Sequence, residues 1–198
     1  KKSRETLGFK EDDIVVGFIG AMHPHKGIFH LAEILDLNMS EIPKLKALWV
    51  GEGPAEQELK TRIQNGKFGN RHIFHNWTPD VRPYYAAMDM LAIPSIANEA
   101  FGRVSLEAQA SGVPLLCSNS GGLPETVELG VTGQLLPAEN ISLWRDAMLN
   151  LARDAQLRMQ LQNKGRDWVE RTFSTTTIAK QFTKLLEETP TGEKSTGL

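Results

Sequence analysis

From Ile14 onward the chain alternates short apolar runs with longer segments whose apolar residues recur at helical spacing. The runs at 14–19, 46–50, 72–74, 90–93, 114–117 and 134–136 are each bounded by Gly, Pro, Asn or Ser, and each predicts a strand. Segments 27–37, 55–65, 80–88, 102–110 and 124–129 lie between them and predict helices. Strands that stay apolar without a polar face belong to a parallel sheet covered on both sides. The expected architecture is therefore a doubly wound, Rossmann-like α/β fold.

After Pro137 the pattern changes: 142–152, 154–171 and 175–188 are amphipathic, and no further strand is expected. These three helices are predicted to close a domain that runs from 1 to 188. The tail from Thr189 to Leu198 is small and polar, with nothing to bury, and is expected to fray. The opening Lys1-Lys2-Ser3-Arg4 is polar and reads as leading directly into the first strand; without an initial Met, the chain is expected to start inside a longer protein.

Composition narrows the function classes. With 198 residues, 40% of them hydrophobic and 23% charged, the chain can form one substantial core. Its net charge of -2 gives no general pull toward nucleic acid or anionic lipid, so a bound anion must be held locally. No apolar stretch reaches the roughly 18 residues of a membrane span and no charged-then-apolar leader opens the chain, so the expected location is cytoplasmic, with the cytoplasmic face of a membrane open to the full-length protein. The single cysteine, Cys117, follows Val113-Pro114-Leu115-Leu116 and reads as a small core residue.

In an open parallel sheet, ligands bind beyond the carboxyl ends of the strands, which directs attention to five loops. Gly20-Ala21-Met22-His23-Pro24-His25-Lys26-Gly27 has a glycine at each end, for tight turning and close ligand approach, and places Lys26 just before a helix start that favours an anion. That pattern fits a phosphate site and equally a solvated lysine. His23 and His25 lack nearby carboxylate or thiolate companions, so no metal is expected, and His25 is a secondary candidate for a phosphate hydrogen bond. The two glycines of Gly51-Glu52-Gly53-Pro54 allow close ligand approach but are also ordinary turn chemistry. In Asn76-Trp77-Thr78-Pro79-Asp80, Trp77 can stack on a base or simply pack, and Asp80 reads as a helix N-cap.

The fourth loop is the most informative. Glu99-Ala100-Phe101-Gly102-Arg103 leads into Val104-Ser105-Leu106-Glu107, with Glu107 about one and a half turns into the helix. Two carboxylates so placed can touch different parts of one extended ligand, each accepting from vicinal hydroxyls, while phosphates rest on the amides of Phe101, Gly102 and Arg103. Spacing alone fits a solvated glutamate pair as well. The fifth loop, Asn119-Ser120-Gly121-Gly122-Leu123-Pro124-Glu125, allows close ligand approach or a plain turn.

Taken together, these loops resemble the carboxyl-terminal, donor-binding domain of the retaining GT-B glycosyltransferases, glycosyl transferases group 1 type. The resemblance runs through Gly20 to Gly27, Val50-Gly51-Glu52-Gly53-Pro54, Tyr85-Ala86-Ala87-Met88-Asp89, Pro94-Ser95, the block Glu99 to Ala108, Ser111-Gly112-Val113-Pro114, Gly121 to Glu125 and Gly130-Val131-Thr132-Gly133. It implies one half of a GT-B fold and transfer of a sugar from a nucleoside-diphosphate sugar, UDP- or GDP-linked, to a glycan or lipid-linked acceptor, in glycan or polysaccharide biosynthesis. By the same resemblance Lys26 contacts the diphosphate, Glu107 the ribose and Glu99 the transferred sugar, with Gly20, Phe101, Gly102 and Arg103 around the phosphates. No metal or other cofactor is implied. The acceptor site is assigned to an amino-terminal domain absent from these 198 residues, which leaves this chain poorly active alone.

Two positions depart from the family pattern. Ala21 stands where an arginine usually follows the first glycine, removing a bidentate phosphate contact for which Arg103 or His25 are the candidate replacements. Asn76 replaces a usual glycine near the base. A sugar-nucleotide epimerase of the same fold and a non-catalytic binding module are the rival readings.

Overall fold

The computed structural model describes residues 2–97 and 99–188. Six strands form one wholly parallel sheet: β1 (Ile14–Ile19), β2 (Leu45–Val50), β3 (His72–His75), β4 (Met90–Ile93), β5 (Leu115–Ser118) and β6 (Gly133–Leu136). Their spatial order is β3-β2-β1-β4-β5-β6, so the chain builds outward from β1 in one direction and then from β4 in the other. The order reverses between β1 and β4, where Val16 pairs with Met90. In such sheets the loops leaving the two strands of the reversal diverge and open a crevice.

Strand residues alternate between two cores, one on each face of the sheet. Val16 and Phe18 of β1, Ala47 and Trp49 of β2 and Met90 and Ala92 of β4 join one core; Val15, Leu48, Val50, Leu91 and Ile93 join the other. Both faces are apolar because both are covered, which is why these strands lack a polar stripe. The first core is closed by α2 (Ile28–Glu41), α3 (Glu56–Gln64) and α6 (Ile141–Arg153), through residues such as Leu31, Leu59 and Trp144. The second is closed by α4 (Arg82–Tyr85) and α5 (Arg103–Ala110) through Tyr85 and Ala108. The fold class expected from the periodicity is the one observed.

Several boundaries differ from expectation, each for a physical reason. A first helix, α1 (Lys2–Thr6), precedes β1, where the polar opening predicts a direct run into the strand. It buries none of its own residues and is clasped instead by Arg4, whose guanidinium reaches Asp89 at 2.6 Å and the Asp13 carbonyl at 2.9 Å. Helix α2 continues four residues past Leu37 because Asn38 is buried and donates its side-chain amide to the Ile34 carbonyl. Segment 124–129 is not an α-helix. A 3-10 turn at Leu123–Thr126 takes its place, ending where the Thr126 hydroxyl donates to the Leu123 carbonyl and Val127 becomes extended. Asp80–Met88 contracts to the single turn of α4, with Val81 at the cap position. Asp80 nevertheless accepts from the Arg82 amide at 3.2 Å and pairs with its guanidinium, so it steadies the same helix end from one residue earlier.

Of the three terminal helices, α6 and α7 (Ala155–Phe173) bury side chains, whereas α8 (Thr175–Glu188) buries none and leaves Ile178, Phe182 and Leu186 exposed. The expectation that all three close the domain therefore holds for α6 and α7 only. Cys117 is fully buried in the second core, and burial pushes its thiol well above the ordinary range. The tail from Thr189 lies outside the described residues. No helix among the described residues is long and apolar enough to cross a membrane.

Candidate functional site

The loops after β1 and β4 meet at the sheet's reversal, and they carry Lys26 and Glu99. The Lys26 ammonium lies 2.5 Å from Glu99 Oε2, across 73 positions of sequence, and the Ser95 hydroxyl donates to the same oxygen at 3.1 Å. Lys26 ends a 3-10 turn, Pro24–Lys26, and α2 begins two residues later. The pair is only about a fifth to a quarter exposed, at 25% for the lysine side chain and 19% for the glutamate. Lys26 is thus no solvated surface cation.

Backbone packing from two sides holds Pro94, Ile96 and Glu99. On one side Gly27, at φ 70°, comes so close that a Cβ there would lie 1.9 Å from the Pro94 carbonyl oxygen. Beside it the His25 carbonyl accepts from the Ile96 amide at 2.8 Å. On the other side Gly121, at φ 57°, would place a Cβ 2.1 Å from the Glu99 carbonyl oxygen, and the Gly122 amide donates to that oxygen at 2.7 Å. Glycine is required at both positions for two reasons, a left-handed backbone and the absence of space. Close approach was expected at these loops, but toward a ligand; here the neighbour approached is the Glu99 segment itself.

Helix α5 begins directly after that segment. Gly102 occupies its N-cap position and the first amides of the helix have no intrahelical partner, the arrangement that favours an anion. A buried polar cluster holds the helix in place: the Ser105 and Thr126 hydroxyls are 2.5 Å apart, and the Gln109 amide donates to the Thr126 carbonyl at 2.7 Å. The Phe101 ring stands edge-on to Phe173 at 6.0 Å, which in turn meets Trp168 at 5.1 Å, so α7 backs the loop that carries the Phe101 amide. Nothing in the sequence pattern separates Trp168 and Phe173 from other apolar residues of an amphipathic helix.

Beside this cluster lies a cleft of about 720 Å³, whose walls include Gly20, Ala21, Glu52, Trp77, Arg103 and Glu107. Glu107 Oε2 accepts from the Tyr85 hydroxyl at 3.2 Å and Oε1 from Arg103 at 3.3 Å. The Arg103 side chain is 84% exposed, so its charge remains available to a ligand. Trp77 is 69% exposed over the cleft, and its amide donates to the Glu52 carboxylate at 3.3 Å. An exposed indole on a cleft wall is placed to stack, not to fill a core. The His25 ring lies 4.1 Å from that of His23; burial, then the neighbouring His23 and Lys26, lower its pKa against the opposing pull of Glu99.

The residues singled out from the sequence thus gather at one sheet edge in two adjoining groups. Gly20, Arg103 and Glu107 line the cleft; Lys26, Glu99, Phe101 and Gly102 form the rim beyond its walls. Sequence reasoning missed Tyr85 and Ser95 as partners of the two glutamates. Both stand in short motifs, Tyr85 to Asp89 and Pro94-Ser95, but no local spacing connects them to Glu107 or Glu99.

A crevice at the reversal of a doubly wound sheet, flanked by a helix N-terminus, a lysine and two carboxylates, defines a class of ligand-binding α/β domain. Residues 1–168 match the family model described as Glycosyl transferases group 1, and the chain belongs to that family. It is 34% identical, over its whole length, to a D-inositol 3-phosphate glycosyltransferase of Corynebacterium efficiens and spans 48% of that protein. It is 29% identical to Anabaena HepE, whose crystal structure in complex with UDP-glucose superposes with a TM-score of 0.82 over 95% of this chain and 52% of that one. The C-terminal domain of the group 1 glycosyl transferase LpcC from Francisella tularensis has the same fold, with a TM-score of 0.79 at 21% identity, over 88% of this chain and 92% of that domain. The chain thus spans about half the length of its full-length relatives and has the architecture of one half of a GT-B fold.

Proposed function

We propose that this chain is the donor-binding half of a retaining glycosyltransferase that moves a sugar from a UDP- or GDP-sugar to a glycan or lipid-linked acceptor. The observation that carries the reading is the convergence, at the reversal between β1 and β4, of the Lys26–Glu99 pair, the N-terminus of α5 and the cleft containing Glu107. In this reading the base lies against Trp77 and the ribose hydroxyls donate to Glu107. The diphosphate sits on the α5 amides with Lys26, and Glu99 accepts from hydroxyls of the transferred sugar.

The chemistry follows from charge. As the bond from the anomeric carbon to the diphosphate breaks, negative charge grows on the leaving group, and fixed donors aimed at it lower the barrier. The amides of Phe101, Gly102 and Arg103 are such donors, fixed because α5 is pinned by Ser105, Gln109 and Thr126. Lys26 supplies a full positive charge. Ala21 leaves a second one missing, and the candidate replacements are Arg103, which lines the same cleft as Ala21, and His25, next to Lys26. The acceptor and the remaining catalytic groups are assigned to the other half of the longer protein.

A thermal-shift panel on the full-length protein with UDP, GDP, ADP and their sugar conjugates tests the reading. A ligand that binds only the folded state raises stability by about 2.7 kcal/mol at a hundred times its Kd. A concentration-dependent rise with one nucleotide is expected. No shift at millimolar ligand would leave a non-catalytic module, and conversion of the nucleotide-sugar without added acceptor would indicate an epimerase.

A further inference from the structure

Tyr85 has no place in the donor-site reading, yet it is the residue that holds Glu107. Its ring is buried in the second core with 2% of its surface exposed, and its hydroxyl emerges from that core at the cleft wall, 3.2 Å from Glu107 Oε2 and 3.4 Å from the Val104 carbonyl. Burial, then the adjacent Glu107 carboxylate, push the phenol far above its ordinary pKa, so at neutral pH it is always a donor. It has a single proton, and the carboxylate is the nearer and stronger acceptor.

We infer that Tyr85 is a positioning residue that orients Glu107 toward the ribose hydroxyls by fixing one carboxylate oxygen from inside the core. The inference rests on the ribose reading of Glu107. A free glutamate on a helix surface samples several rotamers and loses that freedom when a ligand binds. With Oε2 held by Tyr85, Oε1 is left to other donors, and Arg103 now meets it at 3.3 Å. The Arg103 side chain is largely exposed and can yield its place to hydroxyl donors; Tyr85, its ring buried in the core, cannot. The part of the ordering cost that Tyr85 has already met appears as affinity for a ligand bearing the hydroxyls. A ligand without them gains nothing from it.

The distinction sets the test. UDP and GDP, with their 2′,3′-dideoxy counterparts, are titrated by calorimetry against full-length wild type, Tyr85→Phe, Glu107→Gln and the double variant. Wild type is expected to prefer the ribose form, and Tyr85→Phe to lose on the order of tenfold in affinity for it. Affinity for the dideoxy form should stay unchanged. The ratio of the two affinities does not depend on how much of a variant is folded, so partial misfolding cannot mimic the result. In the double variant, Tyr85→Phe should add little to Glu107→Gln, as expected of two residues acting through one contact. Equal loss for both forms would make Tyr85 a packing residue only and overturn the inference, as would an unchanged ratio. A wild type with no ribose preference, or a Glu107→Gln variant that keeps it, would overturn the ribose reading of Glu107 instead, and the inference with it.

Discussion

Glu99 and Glu107 stand eight residues apart in one motif, yet the molecule holds them by opposite means. Glu99 lies on a loop, and backbone from two other loops packs on that loop, Gly27 against Pro94 and Gly121 against Glu99 itself. Its carboxylate is then paired with Lys26, 73 positions away. Glu107 lies on a helix whose own hydrogen bonds fix its backbone, and its side chain meets two donors, Tyr85 from the core and Arg103 one turn earlier on the same helix. A loop carboxylate depends on several distant segments being correct at once. A helical one needs only its side chain placed.

The comparison can be broken most forcefully at Gly121. Gly121→Val forces a left-handed backbone on a β-branched residue and drives its Cβ into the Glu99 carbonyl, which together cost more than about 2 kcal/mol. Thermal unfolding should show that loss, and nucleotide-sugar binding should fall with it because Glu99 is displaced. Unchanged stability and binding would mean that the loop adapts freely and that its packing does not position Glu99.

A narrower perturbation removes the charge at this end and leaves the backbone alone. Lys26→Met keeps the aliphatic stem and takes away the ammonium that meets Glu99. Nucleoside-diphosphate affinity is expected to fall at least about tenfold, the scale of one hydrogen bond to a charged group. The unfolding temperature should drop less than in Gly121→Val. If affinity stays the same, Lys26 serves the loop and not the ligand.

The smallest effect is expected at the other end. Arg103→Ala deletes an exposed charge that pairs with Glu107 and lines the cleft beside Ala21. Exposed pairs are worth less than about 1 kcal/mol, so a few-fold loss of diphosphate affinity is expected, one that shrinks as salt is raised. Isothermal titration at two salt concentrations measures both. An affinity equal to wild type at low salt would remove Arg103 as the replacement for the arginine missing at Ala21.

Much of this was legible in the residues, but unevenly. The strands were read to within a residue or two because each is a short apolar run between turn formers, and burial on both faces leaves that mark locally. The α-helix expected at 124–129 failed because Thr126 turns its hydroxyl back onto the Leu123 carbonyl, a choice that helical periodicity cannot see. Helix α1 was missed because Arg4 anchors it through Asp89, far along the chain, and not through an apolar face. At the site, Lys26, Glu99 and Glu107 were identifiable as chemical groups in loops after strands. Tyr85 was not, since its hydroxyl acts only through a contact between α4 and α5.

What the sequence determined by itself is the alternation of strands and helices, and with it the loops that must lie at the carboxyl edge of the sheet. Those features follow from which residues avoid water, and that is decided within a few positions of each residue. Only the tertiary structure decided that the loops after β1 and β4 become neighbours, because strand order, not sequence order, sets which strands flank the reversal. That adjacency pairs Lys26 with Glu99. Together with the loop after β5, the same packing turns two glycines from candidate ligand contacts into supports of this site, Gly27 against Pro94 and Gly121 against Glu99.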